Sequence, residues 1–144
     1  MAAAQPFGGN GWQIKQANQY NMKKAFSPVS RWRSIRYAIE GVRTFFINEP
    51  NAVLHLLSTV LVFVLSFLFP VTRNEAFILV LATGSVWAAE LFNTAIEKTI
   101  DFISPERHPS IKFIKDVSAA AVLVTAFTAL ITGLVIFIPK IFSL

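Results

Sequence analysis

Glu90, Asn93, Glu97 and Asp101 stand at i, i+3, i+7 and i+11, a spacing that turns all four toward one face of a helix. They occupy the second half of a run whose first half, Phe77, Ile78, Leu79, Val80 and Leu81, is apolar. An acid in mid-membrane costs about 3 kcal/mol on insertion scales, so repeated acids along one span call for a chemical reason. Carboxylates this close together must protonate, pair with bases or bind a cation. Oxygen donors beside an amide suit Mg²⁺, which keeps several waters and shares one or two carboxylates with substrate phosphates. Asn48 and Glu49 lie just before another apolar run, and Lys115 and Asp116 open a third, so three elements could bring acids and bases to one site. A site of that kind suits the joining of a water-soluble anion such as ATP to a hydroxyl that resides in the membrane. Two other readings use the same residues: a proton relay in a small proton-coupled transport subunit, and hydrogen bonding between packed spans.

The elements that must position these residues follow from composition. The chain has 144 residues, 54% hydrophobic and only 15% charged, with 14 Phe and no Cys, whereas soluble domains carry about 25% charged residues. Without Cys there is no disulfide framework, thiolate metal site or cysteine nucleophile, and two His leave little for a zinc site. About 20 apolar residues in helical form cross a bilayer. Three segments qualify, at about 52–69, 76–100 and 117–142. Seven of the 13 Lys and Arg precede the first of them, and Arg107, Lys112 and Lys115 follow the second. The positive-inside rule therefore places the N-terminus and the second connection in the cytoplasm. The same distribution removes the nucleic-acid reading of the +5 net charge. At about 1.5 Å per residue from Ala76, Glu90 sits about 20 Å into its span, in the cytoplasmic third.

Before the first span, Trp32, Ile35, Ile39, Val42 and Phe46 recur at helical spacing beside Arg33, Arg36, Glu40 and Arg43. This pattern predicts an amphipathic surface helix over about 31–48, started by Ser27-Pro28 or Ser30 and lying in the headgroup layer. Residues 1–29 are read as a polar, flexible tail without the continuous apolar core of a signal peptide. The expected fold is all-α: one surface helix and three transmembrane helices in a domain over 30–144.

The pattern Glu90-x-x-Asn93-Thr94-Ala95-x-Glu97-x-x-x-Asp101, followed by Glu106, His108 and Lys115-Asp116, resembles the bacterial diacylglycerol kinase and undecaprenol kinase family of small membrane lipid kinases. Tyr37-Ala38, Gly41-x-Arg43 and Asn48-Glu49 extend the resemblance over most of residues 30–142. It implies a homotrimer in the bacterial cytoplasmic membrane, with active sites at the cytoplasmic interface built from more than one subunit. It also implies ATP as phosphoryl donor and Mg²⁺ as cofactor. Carried over by position, Glu49 and Glu97 bind the divalent ion, Glu90 is the general base, and Asn93 orients substrate or phosphate. Lys115 pairs with ATP phosphates, Asp101 and Asp116 help hold the nucleotide, and Tyr37 and Arg33 belong to the helix that faces it. Glu106 and His108 fit an ordinary cytoplasmic turn. Glu49-x-Asn51-x-x-x-His55 is more similar to the undecaprenol branch, since the diacylglycerol branch carries an acid where His55 stands. Phe113, at a position basic in some members, and Ala119, where a Ser can occur, depart from the pattern. The chain has neither a G-x-x-x-x-G-K-[ST] loop nor soluble-kinase motifs, so phosphate binding falls to metal and polar side chains.

Overall fold

The computed structural model describes residues 28–104 and 108–143. Within them the chain forms four helices: α1 (Pro28–Asn48), α2 (Pro50–Leu68), α3 (Arg73–Ile103) and α4 (Pro109–Phe142). It divides into two compact units between Thr44 and Phe45. The tail up to Ser27 and Glu106 lie outside the described residues.

In the first unit α1 starts at Pro28, the first of the two starts expected and three residues before the expected span of 31–48, as suits a residue whose missing N–H is no loss in a first turn. Arg36 pairs with Glu40 one turn on and lies 5.7 Å from the centre of the Tyr37 ring. Trp32, Ile35 and Ile39 recur along it at helical spacing, the amphipathic pattern of a surface helix.

In the second unit, α2, α3 and α4 are each long and apolar enough to cross a membrane. Large apolar side chains cover their outsides, with Phe67 78% and Phe102 90% exposed. Faces of this kind are unsustainable in water and ordinary in hydrocarbon. Helix α2, at 19 residues, is about 28 Å long and matches the bilayer core. Helices α3 and α4 have 31 and 34 residues, about 46 and 51 Å, and outrun it. They are therefore longer than the apolar runs they contain, because charged residues continue the helix beyond the point where hydropathy falls. Lys112 pairs with Asp116 one turn along α4, and Lys115 Nζ reaches Asp101 Oδ1 across to α3 at 2.5 Å. The excess length thus carries the charges clear of the hydrocarbon.

The breaks between helices have local causes. Pro50 cannot donate, and it pushes the residue before it out of the α region; Glu49 accordingly takes φ −113°, ψ 109° and separates α1 from α2. Thr72 opens α3 with a capping box, in which its side chain accepts from the Glu75 backbone and Glu75 accepts from the Thr72 backbone. His108 caps α4 by accepting the Ser110 N–H at its Nδ1, with Pro109 in the first turn, so its place in the resemblance is accounted for by a structural role. At the end of the spans far from Asp101 and Lys115, Lys140 donates to the Pro70 carbonyl and to Glu75. Leu79, Ile136 and Phe137 pack beneath that clasp with Leu65 and Phe69 against them. Thr72→Ala should lower stability by about 1 kcal/mol without changing activity, measurable as a fall in thermal midpoint in detergent micelles.

Candidate active site

The polar residues of α3 run from buried to exposed along one face. Glu90 is 2% and Asn93 7% exposed, Glu97 is half-buried and Asp101 is exposed. Helical periodicity puts them on one stripe, and the two other spans decide what each of them meets.

Glu90 faces α2. Its Oε2 lies 3.9 Å from His55 Nε2, and both side chains are largely shielded from solvent. The His55 ring is set edge-on to Trp87 at 6.1 Å, and Trp87 Nε1 donates to Thr59 Oγ1 at 3.0 Å. Phe45 and Phe46 complete an aromatic wall around the indole. Thr59 in turn donates to the His55 carbonyl, so the residues that shape this pocket are locked by bonds one helical turn apart. A carboxylate so enclosed can accept a proton from a hydroxyl brought to it, with few competing waters.

Asn93 is held from both sides. Ser118 Oγ, buried on α4, lies 2.6 Å from Asn93 Oδ1 and 2.9 Å from the Lys115 carbonyl, sharing its proton between them. Asn93 Nδ2 donates to Glu97 Oε1 at 3.3 Å. Ser118 thereby sets the amide, and the amide sets Glu97. The Ser118→Ala variant leaves Asn93 Oδ1 buried without a donor and should cost about 1–3 kcal/mol. Its thermal midpoint should fall, and turnover should fall with it as Glu97 loses its orientation.

Glu49, in the single-residue gap between α1 and α2, makes no cap with its own side chain. Lys98 Nζ comes to 3.0 Å from its Oε1, yet the approach lacks hydrogen-bond geometry, and Oε1 is a buried oxygen with no hydrogen-bond partner. The Lys98 ammonium thus balances the Glu49 charge without a hydrogen bond, and a divalent ion at that oxygen would take its place. Among the described residues no three acidic or His side chains converge on one point. The donor set therefore fits an ion that takes one or two carboxylates and completes its shell with waters and phosphate oxygens, as Mg²⁺ does.

The other candidate residues lie apart from this cluster. Lys115 is engaged by Asp101, and Asp116 by Lys112, all at the exposed end of α3 and α4. Tyr37 and Arg33 belong to the first unit. Ser118, Lys98 and Trp87 contribute to the site without having been singled out by sequence; Ser118 and Lys98 carried at most the faint signal of a polar residue in an apolar or acidic run.

A family model described as prokaryotic diacylglycerol kinase matches residues 36–137, the stretch that holds every one of these contacts. The chain belongs to that family. Among its relatives is an undecaprenol kinase of Bacillus subtilis, 36% identical over 110 residues that cover 76% of this chain and 89% of the relative. A diacylglycerol kinase of Synechocystis is 30% identical over 143 residues, covering 99% of this chain and 74% of the relative. Another from Pseudomonas aeruginosa is 32% identical over 96 residues, 67% of this chain and 78% of the relative. The protein is thus a membrane lipid kinase, and the buried carboxylate stripe on α3 lies inside the part it shares with the family.

Proposed function

We propose that the protein transfers the γ-phosphoryl group of ATP to the hydroxyl of a membrane lipid, either diacylglycerol, giving phosphatidic acid, or undecaprenol, giving undecaprenyl phosphate. The observation that carries this reading is the enclosure of Glu90, a carboxylate 2% exposed within a span and facing His55. Glu90 Oε2 takes the proton of the lipid hydroxyl as its oxygen attacks the γ-phosphorus. The bond from that phosphorus to the bridging oxygen breaks in line, and ADP leaves with that oxygen. No covalent enzyme intermediate is involved. Bound Mg²⁺ supplies neutralisation of the charge on the transferring phosphoryl group. Glu49 and Glu97 would hold it, supported by the buried Glu49 oxygen that makes no hydrogen bond to its Lys98 counter-ion and by the anchored Asn93–Glu97 pair.

Asn93 orients the substrate or a phosphate, Lys115 pairs with nucleotide phosphates, and Asp101 and Asp116 help hold the nucleotide, as do Tyr37 and Arg33 of α1. Lys115 already carries a carboxylate partner, so a phosphate need only replace Asp101 as its anion. The protein works in the bacterial cytoplasmic membrane as a homotrimer, its N-terminus in the cytoplasm where the basic residues gather and its active sites shared between subunits. Purified protein given labelled ATP, Mg²⁺ and either lipid should yield a labelled lipid phosphate. Absence of product from every membrane alcohol tried would overturn the proposal.

A further inference from the structure

Lys98 stands inside the acidic run of α3, directly after Glu97 and three residues before Asp101, yet the phosphoryl transfer described above gives it nothing to do. Its ammonium reaches Glu49 Oε1, 3.0 Å away, in the gap that separates α1 from α2. The two partners are held very differently. The Glu49 side chain is 15% exposed and that of Lys98 64%, so the carboxylate is fixed in the protein while the ammonium rides on a flexible, mostly hydrated stem. Their contact also lacks a hydrogen bond, unlike those of Lys115 with Asp101 and of Lys112 with Asp116.

The asymmetry has a consequence for exchange. An ion pair with one exposed, mobile member is given up at little cost, whereas a largely buried carboxylate left without a counter-ion is costly. Glu49 therefore holds on to a cation, and Lys98 is a cation able to leave. The oxygen it faces is the same one that Glu49 offers to a divalent ion. One carboxylate oxygen does not keep an ammonium and a doubly charged ion at once without repulsion at close range, so the movable stem of Lys98 gives way. Swung aside, its ammonium stays next to Glu97 in the chain, within reach of phosphate oxygens that share the ion.

We propose that Lys98 is the resident counter-ion of Glu49: it competes with the divalent ion for that carboxylate and, once displaced, pairs with the nucleotide phosphates that share the ion. This role rests on the kinase reading for its nucleotide and on the Lys98–Glu49 contact for its residue. It holds divalent ions off Glu49 until phosphates give the ammonium another anion, so ion and nucleotide enter together. Its signature is a pair of opposite effects. Replacing a residue that merely supports the shape of the site weakens both ligands; removing the Lys98 charge should strengthen one and weaken the other.

The test uses the full chain in phosphatidylcholine vesicles, with Mn²⁺ as the probe ion and free Mn²⁺ read by electron paramagnetic resonance in the absence of nucleotide. Lys98→Met removes the charge and keeps the stem, and Lys98→Arg keeps the charge. Lys112→Met is the control, since it also removes one charge and uncovers an acid, Asp116. We expect Lys98→Met to bind Mn²⁺ at least about fivefold more tightly than the wild type, with Lys98→Arg and Lys112→Met within about twofold of it. At saturating Mn²⁺, binding of the β,γ-methylene analogue of ATP should weaken at least about fivefold in Lys98→Met and stay within about twofold in Lys98→Arg. Should Lys98→Met lose its helical circular dichroism, Lys98→Gln replaces it in both measurements.

Mn²⁺ affinity that is unchanged or lower in Lys98→Met overturns the proposal, as does an equal gain in Lys112→Met, which would mark a net-charge effect. Unchanged binding of the analogue removes the phosphate contact and overturns it as well. Lipid phosphate formed by the wild type, with both affinities unchanged in Lys98→Met, overturns the role of Lys98 while the kinase reading stands. The two opposite shifts without lipid phosphate from the wild type keep that role and remove the kinase reading.

Discussion

Glu90→Gln should lower kcat by about 10² to 10⁴, the range that a positioned general base contributes, while the protein remains folded. Glutamine keeps the volume and an oxygen facing His55 but cannot accept the hydroxyl proton. The environment makes the two effects separable. Glu90 is 2% exposed and faces His55, and at such burial a neutral amide is less costly than a carboxylate, so the thermal midpoint should hold or rise as activity collapses. The KM for ATP should change little, because Glu90 lies at the buried end of the stripe, away from the exposed charged end at Asp101 and Lys115. Full activity in the variant would remove Glu90 from the role of base and leave the lipid kinase assignment intact.

The second large effect concerns the cation. Glu97→Gln retains an acceptor for Asn93 Nδ2, so the Ser118–Asn93 link survives, but it withdraws a negative charge from the proposed ion. We expect the half-saturating Mg²⁺ concentration to rise at least about tenfold, or turnover at saturating ATP to fall on the order of 10²-fold, as loss of a few kcal/mol of charge stabilisation implies. Titrating turnover against Mg²⁺ in both proteins checks this. An unchanged Mg²⁺ dependence would take Glu97 out of the ligand set and leave Glu49, whose buried oxygen faces Lys98 without a hydrogen bond, as the carboxylate to test next.

Some of this site was legible from spacing alone. The stripe Glu90, Asn93, Glu97, Asp101 needed only the 3.6-residue repeat, whereas its gradient from buried to exposed is set by how far the neighbouring helices cover α3. The ends of the helices were less legible. Hydropathy stops where charges begin, but α4 begins at Pro109, eight residues before the apolar run from Val117, because Lys112–Asp116 and Lys115–Asp101 give its charges partners. His108 was legible only as part of a turn, and its ring nitrogen caps the next helix.

Sequence by itself determined the class of protein and the face of α3 that carries the polar stripe. Apolar runs of bilayer length, basic residues gathered at one side and acids on one helical stripe are local properties, and the geometry of a single helix converts them directly into structure. Only the tertiary structure decided which groups meet. Ser118 reaches Asn93 across 25 residues of chain and Lys140 reaches Glu75 across 65, while His55 faces Glu90 from a different span. No spacing rule predicts such pairs, since the register of one helix on another is set by the packing of all the side chains between them.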